Sequence, residues 1–598
     1  MTAIANVRHE RVDDIPVIIG MANRLGLADI LDRHLGRHGL HQGLNNGQLA
    51  VGWLGYILSQ GDHRKSAVQG WAHDLTHTLE QLLGDPIREV EFSDDRLGIL
   101  VRRLNDDGAW AAIETDLWAA TMTVYAFPVT GVRLDGSSSY GYHQVHGEGL
   151  MQYGHSKDHR PDLPQLKLMA AAAAPWGHLI ACDVAPGQRP DDPLYPPLLE
   201  RVRRILGQEG LLYAGDCKMA ALSIRADIVL HRDYYVVPLP LTGKTGEHFA
   251  AWVAAVVDGP QEVQLLWEGN RWLGAGYEFE RLQTATVGEQ TVTWTERVQV
   301  LRSPGLAERQ QADLERRLEA ATAALGALTP EPGRGKRQVR EEAALQEAIT
   351  RVLAEHQVAG LLTGTWERQE QEITRYQGRG RGGPNRPTTT VVQVRYVVTG
   401  VHRNAEAIAA QRHRMGWRVQ VTNAPVDRLP LVAAVREGRD GWSLERDFHL
   451  IKDLPLGLSP LFVWKEDQIK GLTRLLTLGL RLLTLIEIQV RQELAQEQTT
   501  VAGLYEGQPH RATDRPTGKR ILKAFARAQI TWTWVETVTF PESPLPDRPG
   551  AGAGSPGPEA AVTWKVAHIT PLSPLLERLL HYLRLPPSLY SALAYNTS

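Results

Sequence analysis

Between residues 129 and 239 short apolar runs follow one another in an order that constrains the fold more than any other stretch. Residues 129–136, Val-Thr-Gly-Val-Arg-Leu-Asp-Gly, alternate and end on an Asp-Gly turn signal at Asp135. Residues 166–174 and 178–184 read as two further strands, joined by Pro175-Trp176-Gly177. Residues 211–216, Leu-Leu-Tyr-Ala-Gly-Asp, read as a short buried strand with Asp216 at its end. A helical pattern over 219–230 and a strand over 234–239 complete a strand–helix–strand unit. Strands in series followed by such a unit predict a mixed α/β sheet. Asp135 and Asp216 then each end a strand, where ligands gather in open α/β sheets. Each acid also has a purely structural use. Asp135-Gly136 serves a turn, and Asp216 caps the helix that begins near Lys218.

A third acid comes from residues 442–452, Trp-Ser-Leu-Glu-Arg-Asp-Phe-His-Leu-Ile-Lys. At helical spacing Leu444, Phe448 and Ile451 make an apolar face, and Glu445, His449 and Lys452 make a polar one beside it. Glu445 and Lys452 are two turns apart, about 10 Å of rise. A carboxylate and a lysine so placed suit a metal ion and, further along, a phosphate; the same stripe is also the ordinary solvated face of a helix. Three carboxylates suit two hard divalent cations, Mg2+ first and Mn2+ as its substitute. Two such ions, about 4 Å apart, serve in-line phosphoryl displacement.

With 598 residues the chain exceeds one core, and two to four domains are expected. Its net charge of −3 excludes a uniformly basic coat, so any nucleic-acid surface is a local patch. Two cysteines, Cys182 and Cys217, make no disulfide framework and fit a reducing cytoplasm. The N-terminus lacks the apolar core of a signal peptide. The most apolar run, 472–488, contains Arg474 and Arg481, so it reads as a buried helix and not a membrane span. A cytoplasmic protein without a membrane partner is expected.

Domain limits follow from pattern changes. Residues 1–128 read as a helical domain, either DNA-binding through the basic turn at His63-Arg64-Lys65 or a plain bundle; 91–98 look like a helix start capped by Ser or Asp. The α/β core occupies 129–244 and resumes over 416–495, with a strand at 417–423, a helix at 426–436 and a long helix at 466–493. Between them, 245–415 form an insertion. It holds strands at 263–267, 271–279 and 291–301 and charged helices at 306–325 and 339–353. Its glycine-rich loop, 375–387, offers Arg379 and Arg381 to DNA phosphates, or is simply solvated. The C-terminal region, 496–598, has a Pro/Gly linker at 541–560. Its terminal helix carries Leu575, Leu579, Leu580 and Leu583, for docking, oligomerisation or packing onto its own domain.

Four stretches carry a family likeness: Val132-Arg-Leu-Asp135-Gly-Ser-Ser, Gly154-His-Ser-Lys-Asp-His-Arg-Pro-Asp-Leu-Pro-Gln165, Leu212-Tyr-Ala-Gly-Asp216-Cys-Lys-Met, and Val419-Gln-Val-Thr-Asn with Leu444-Glu445-Arg-Asp-Phe-His-Leu-Ile-Lys452. In this order they resemble a bacterial insertion-sequence transposase of the DDE type, with an RNase H-like core split by a β-rich insertion. The family signature Tyr-x2-Arg-x3-Glu-x6-Lys is met by Glu445 and Lys452, with Trp442 where an aromatic often follows the arginine. Gly438 and Gly441 stand at the Tyr and Arg positions, and Arg439 or Arg446 would substitute only from another helical face.

The resemblance implies cut-and-paste transposition. Asp135, Asp216 and Glu445 would be the catalytic and metal-binding carboxylates. Cleavage would free a 3′-hydroxyl that attacks other phosphates, through a hairpin if this branch behaves alike. Lys452 would sit on a phosphate as a point charge, with Arg446 and His449 beside it. Trp442 or Trp417 would stack on an extruded base. In the loop 154–165, His155, Lys157, His159 and Arg160 would touch DNA; a zinc reading of the two histidines lacks a third ligand. Double-stranded DNA and a second copy in a synaptic complex would be the partners. The alternatives are a DNA-binding, catalytically impaired derivative, motivated by Gly438 and Gly441, and a nuclease on the same fold.

Overall fold

The computed structural model describes residues 2–36, 42–333, 335–379, 383–439, 442–539 and 561–594. Two compact units emerge: Met1–Val237 with Thr284–Thr293 and Glu437–Ser598, and Pro238–Gln283 with Trp294–Arg436.

The first unit opens with β1 (Thr2–Arg11), a correction to the all-helical expectation for this end. The pairing partner of β1, the strand Thr531–Thr539, lies more than 500 residues away in the chain. Helices follow: α1 (Ile15–Leu25), α2 (Leu27–Leu35), α3 (Asn46–Gln60), α4 (Lys65–Asp74), α5 (Thr76–Leu83), α6 (Asp94–Leu104) and α7 (Asp107–Tyr125). Ser93 is the N-cap residue of α6, with Asp94 and Asp95 in its first turn, where they complement the helix dipole. Lys65, in the basic turn, donates to Asp94 Oδ2 at 3.2 Å and so braces α4 against α6.

Then come β2 (Gly131–Tyr140), β3 (Gln165–Ala174), β4 (His178–Pro186), α8 (Tyr195–Leu206), β5 (Leu212–Gly215), α9 (Leu222–Leu230) and β6 (Tyr234–Pro238). They form a mixed sheet in the order β4-β3-β2-β5-β6. β2, β3 and β4 pair antiparallel; β2, β5 and β6 pair parallel. All ten positions of β3 are buried, so both faces of the sheet are covered there. Asp135-Gly136 is no turn: β2 runs through it to Tyr140. A Cβ at Gly136 would lie 2.6 Å from Met169 Sδ on the neighbouring strand, so a larger residue there would have to displace that side chain.

The second unit contains α10 (Gly243–Val257), β7 (Gln264–Glu268), β8 (Arg271–Val287), β9 (Gln290–Arg302), α11 (Pro304–Ala327), α12 (Glu342–Glu355), β10 (Leu362–Tyr376), β11 (Thr388–Arg403), α13 (Ala405–His413), β12 (Trp417–Thr422) and most of α14 (Leu431–Arg439). Its sheet runs β12-β9-β8-β7. β10 and β11 form a long antiparallel hairpin. Leu314, Leu318 and Ala321 of α11 pack with Val358 and Leu362 beneath it. The basic glycine-rich loop is the hairpin tip, where Arg379 is exposed. Arg381 lies outside the described residues.

The chain returns to the first unit with α15 (Trp442–Lys452), α16 (Glu466–Gln496), α17 (Gly518–Ala526), β13 (Thr531–Thr539), β14 (Ala561–Ile569) and α18 (Pro574–Tyr582). α16 is buried from Gln468 to Val490 except at Lys470, and the buried part includes a polar stripe, Thr473, Thr477, Arg481 and Thr484, at helical spacing. It meets α6 closely at Gly471, where a Cβ would lie 1.7 Å from the Val101 carbonyl oxygen. Its buried cations have partners. Arg474 bonds Asp107 and the Leu104 carbonyl; Arg481 bonds Glu114 at 2.8 Å and the Ile180 carbonyl. Among the described residues no helix is long and apolar enough to cross a membrane.

The terminal helix packs within its own unit: Leu579, Leu580 and Leu583 are buried, and Tyr582 Oη donates to Glu497 at 2.6 Å. β1, β13 and β14 form a sheet joining the two ends of the chain, which the sequence pattern had not indicated. The 541–560 linker lies outside the described residues.

Candidate functional site

Parallel pairing brings the two aspartates together. Val132, Arg133 and Leu134 of β2 stand opposite Tyr213, Ala214 and Gly215 of β5. The next step of that register sets Asp135 beside Asp216, on the order of 5 Å apart at the Cα atoms, the spacing of neighbouring strands. Asp135 therefore sits mid-strand and not at a strand end, while Asp216 follows the last residue of β5. Burial pushes the Asp135 carboxyl above the usual carboxylate range; Lys157 opposes the shift, and the charge of Asp216 adds to it.

Each acid is oriented by its own partners. Gly136 N donates to Asp135 Oδ1 at 2.7 Å. Asp216 Oδ1 accepts from Tyr195 Oη at 2.8 Å, from Lys218 N at 2.9 Å and from Met219 N at 3.4 Å. Asp216 thus does shape the turn before α9, and one oxygen meets all three donors. Tyr195 is buried at the start of α8. Burial, then the charges of Asp216 and Asp135, keep its hydroxyl protonated far above the usual range, so it remains a donor. No spacing pattern in the sequence marked Tyr195.

The loop 154–165 folds over the first acid. Lys157 Nζ lies 3.4 Å from Asp135 Oδ1 and donates to the Gly136 carbonyl. Its backbone N–H donates to Ser138 Oγ at 2.9 Å, fixing the loop on β2. The next residue, Asp158, accepts from Lys452 Nζ at 2.6 Å. Consecutive loop residues therefore tie Asp135 to the end of α15, a role for Asp158 that the sequence reading missed. Arg160 pairs with Asp162 at 2.8 Å and lies over the Tyr140 ring at 5.2 Å. His155 and His159 are exposed.

On α15, Leu444, Phe448 and Ile451 are buried, whereas Glu445 and His449 are exposed. α15 packs on β2 and α16. Arg446 turns inward, bonding Glu487 at 2.6 Å and Asp447 at 3.1 Å, which commits it to the helix–helix contact and not to a phosphate. Gly441 and the side chains of Arg439 and Trp442 lie outside the described residues. Trp417 is buried in the second unit, which removes it from base stacking. Arg133 bonds both the carboxylate and the carbonyl of Glu437, just ahead of exposed Gly438. Among the described residues no group of three or more His, Cys, Asp or Glu side chains is close enough to hold a metal ion. The structure brings together Asp135, Asp216, Tyr195, Lys157, Asp158 and Lys452; Glu445 is on the adjoining helix.

No family model matches the chain, and no curated protein matches it. Among solved structures, a piggyBac transposase synaptic complex with hairpin DNA is similar over 50% of this chain and 62% of that one, with 8% identity and a TM-score of 0.24.

Proposed function

We propose that this chain is a DDE-type DNA transposase with an RNase H-like core. It cuts phosphodiester bonds at the terminal inverted repeats of an insertion sequence and joins the freed end to a target. The observation that carries the reading is the parallel register of β2 and β5, which ends at Leu134 opposite Gly215 and so brings together Asp135 and Asp216, the next residue on each. The sheet supports it: three antiparallel strands, then two that pair parallel to the first.

The pair suits a hard cation. Mg2+, or Mn2+ in its place, takes one or two carboxylates and keeps several waters. Two carboxylates side by side, one with its acidity already suppressed by burial and by its neighbour, would be stabilised in their ionised forms by a bound cation. Glu445, on α15, is not grouped with the two aspartates in this structure; in this reading it would supply the third carboxylate of a two-ion site. Bound there, the ions supply water activation and charge stabilisation of the leaving oxygen. The chain's own residues do the positioning. Tyr195 holds Asp216 through Oδ1; Lys157 balances the charge of Asp135; Lys452, at the same end of the site, meets a DNA phosphate. Two copies bring two ends together.

Purified protein mixed with duplexes ending in its element's repeats and Mg2+ cleaves at those ends. Asp216→Asn lowers the rate by on the order of 10³ or more, as loss of one member of a catalytic unit does, and leaves end binding nearly intact. Unchanged cleavage in that variant removes the pair from the mechanism. A second reading, a DNA-binding derivative with an impaired site, draws on Gly438 and Gly441 at the signature positions and on the inward turn of Arg446. Specific end binding without cleavage by the unaltered protein selects it. Cleavage without joining selects a nuclease on the same fold.

A further inference from the structure

The chain carries net charge −3, yet residues 505–527 hold six Lys or Arg against two acids. They comprise α17 and the loop before it. Arg511, Arg515, Lys519, Arg520, Lys523 and Arg527 are all exposed. The apolar residues of α17, Ile521, Leu522 and Phe525, are buried against the unit. Lys519, Lys523 and Arg527 recur every fourth residue, a cationic stripe about 12 Å long.

The cations are held in place. Arg511 and Arg520 both lie over the Tyr505 ring, at 4.0 and 4.2 Å from its centroid. Val501 and Thr513 exchange backbone hydrogen bonds across the loop, and Arg491 of α16 donates to the Pro516 carbonyl at 3.0 Å. At one end Lys519 donates to the Leu454 carbonyl at 2.8 Å, two residues beyond Lys452. The basic face therefore begins beside the end of α15. A plainer account covers part of the cluster: Glu506 pairs with Lys523 and Arg527, and cations suit a helix C-terminus. The two acids of the stretch, Glu506 and Asp514, do not balance its six exposed cations.

We propose that this face binds the phosphate backbone of double-stranded DNA. The proposal rests on the transposase reading and deepens it, by supplying a grip that the signature arginine position, Gly441, does not. A duplex presents one charge per about 1.7 Å, so the stripe spans several phosphates. A lipid surface fits poorly, because an interfacial helix needs its apolar side free and that of α17 is buried.

The test is anisotropy with a 5′-labelled duplex of about 30 base pairs, unrelated to any repeat, between about 50 and 200 mM salt. The variant Lys519→Gln/Lys523→Gln/Arg527→Gln is compared with the charge-retaining Lys519→Arg/Lys523→Arg/Arg527→Lys. The first loses about tenfold or more in affinity, and its slope against log salt shrinks by about 2 to 3, near 0.9 per lost phosphate contact. The second keeps both, and thermal melting confirms that both are folded. Unchanged affinity and slope in the first variant overturn this surface and leave the transposase reading standing. Failure of the unaltered protein to bind any duplex overturns both. Binding to anionic vesicles or to a polyglutamate peptide in preference to duplex overturns DNA as the occupant.

Discussion

At Asp135 three influences meet. Burial and the neighbouring Asp216 both favour the protonated carboxyl; Lys157, 3.4 Å away, favours the ionised one. The balance makes the coupling measurable. Lys157→Met removes the stabilising cation and moves the Asp135 titration upward; Asp216→Asn removes the repulsion and moves it downward. Carbon-13 NMR titration of the aspartate carboxyls reads both. Identical Asp135 titrations in the two variants and the parent protein contradict the adjacency read from the strand register. Tyr195 belongs to the same group. Its buried hydroxyl donates to Asp216, so Tyr195→Phe removes one of the three donors that hold Asp216 Oδ1. Asp135 and Asp216 were legible in the sequence because each closes an apolar run. Tyr195 and Asp158 were not, since a partner placed by tertiary packing leaves no periodic trace.

At the scale of elements, α15 is fixed to its neighbours by charge as well as by its apolar stripe. Glu487 of α16 accepts from Arg446 and Arg491 and from the Gly518 N–H of α17, so one carboxylate joins three helices. Arg446 and Asp447 lie between the two stripes that helical periodicity reveals, which is why the sequence reading sent Arg446 to DNA. Asp447 is buried, and burial raises its carboxyl to about 7 against the attraction of Arg446. In the unfolded chain it ionises near its ordinary value of 3.8. The folded state thus holds an extra proton between about pH 4 and pH 7, and stability falls as pH rises through that window. Asp447→Asn keeps the bond to Arg446 and cannot ionise. Its urea midpoint falls less than that of the parent between pH 5 and pH 7.5, and equal falls rule out Asp447 as the source.

For the whole molecule, the decisive contacts join the two ends of the chain. β1 pairs with β13 from Thr2 opposite Thr539 to Arg11 opposite Thr531. Val12 N donates to the Ile530 carbonyl at 2.9 Å. Tyr590 Oη donates to the Asp13 carbonyl at 2.5 Å, and its ring stacks on Phe525 at 6.2 Å. Local patterning exposed the 129–239 sheet and the long helix α16, because periodicity and burial coincide there. It left out β1, β13 and β14, because an edge pairing between positions more than 500 residues apart has no local signature. The hairpin β10–β11 escaped for a related reason: beyond the first residues of β10 its positions are exposed or only half-buried, so alternation marks its inner face weakly. If the ends are structural partners, the C-terminal tail is part of the first unit's core and not an appendage. Tyr590→Ala should then cost about 3–5 kcal/mol, the range for emptying a buried aromatic site. Tyr590→Phe, which loses only the hydroxyl bond, should cost about 1 kcal/mol. Urea denaturation of the full chain, followed by tryptophan fluorescence with buried Trp532 beside the junction, separates the two. A loss below about 1 kcal/mol for Tyr590→Ala would mean that the tail rests on the unit without supporting it.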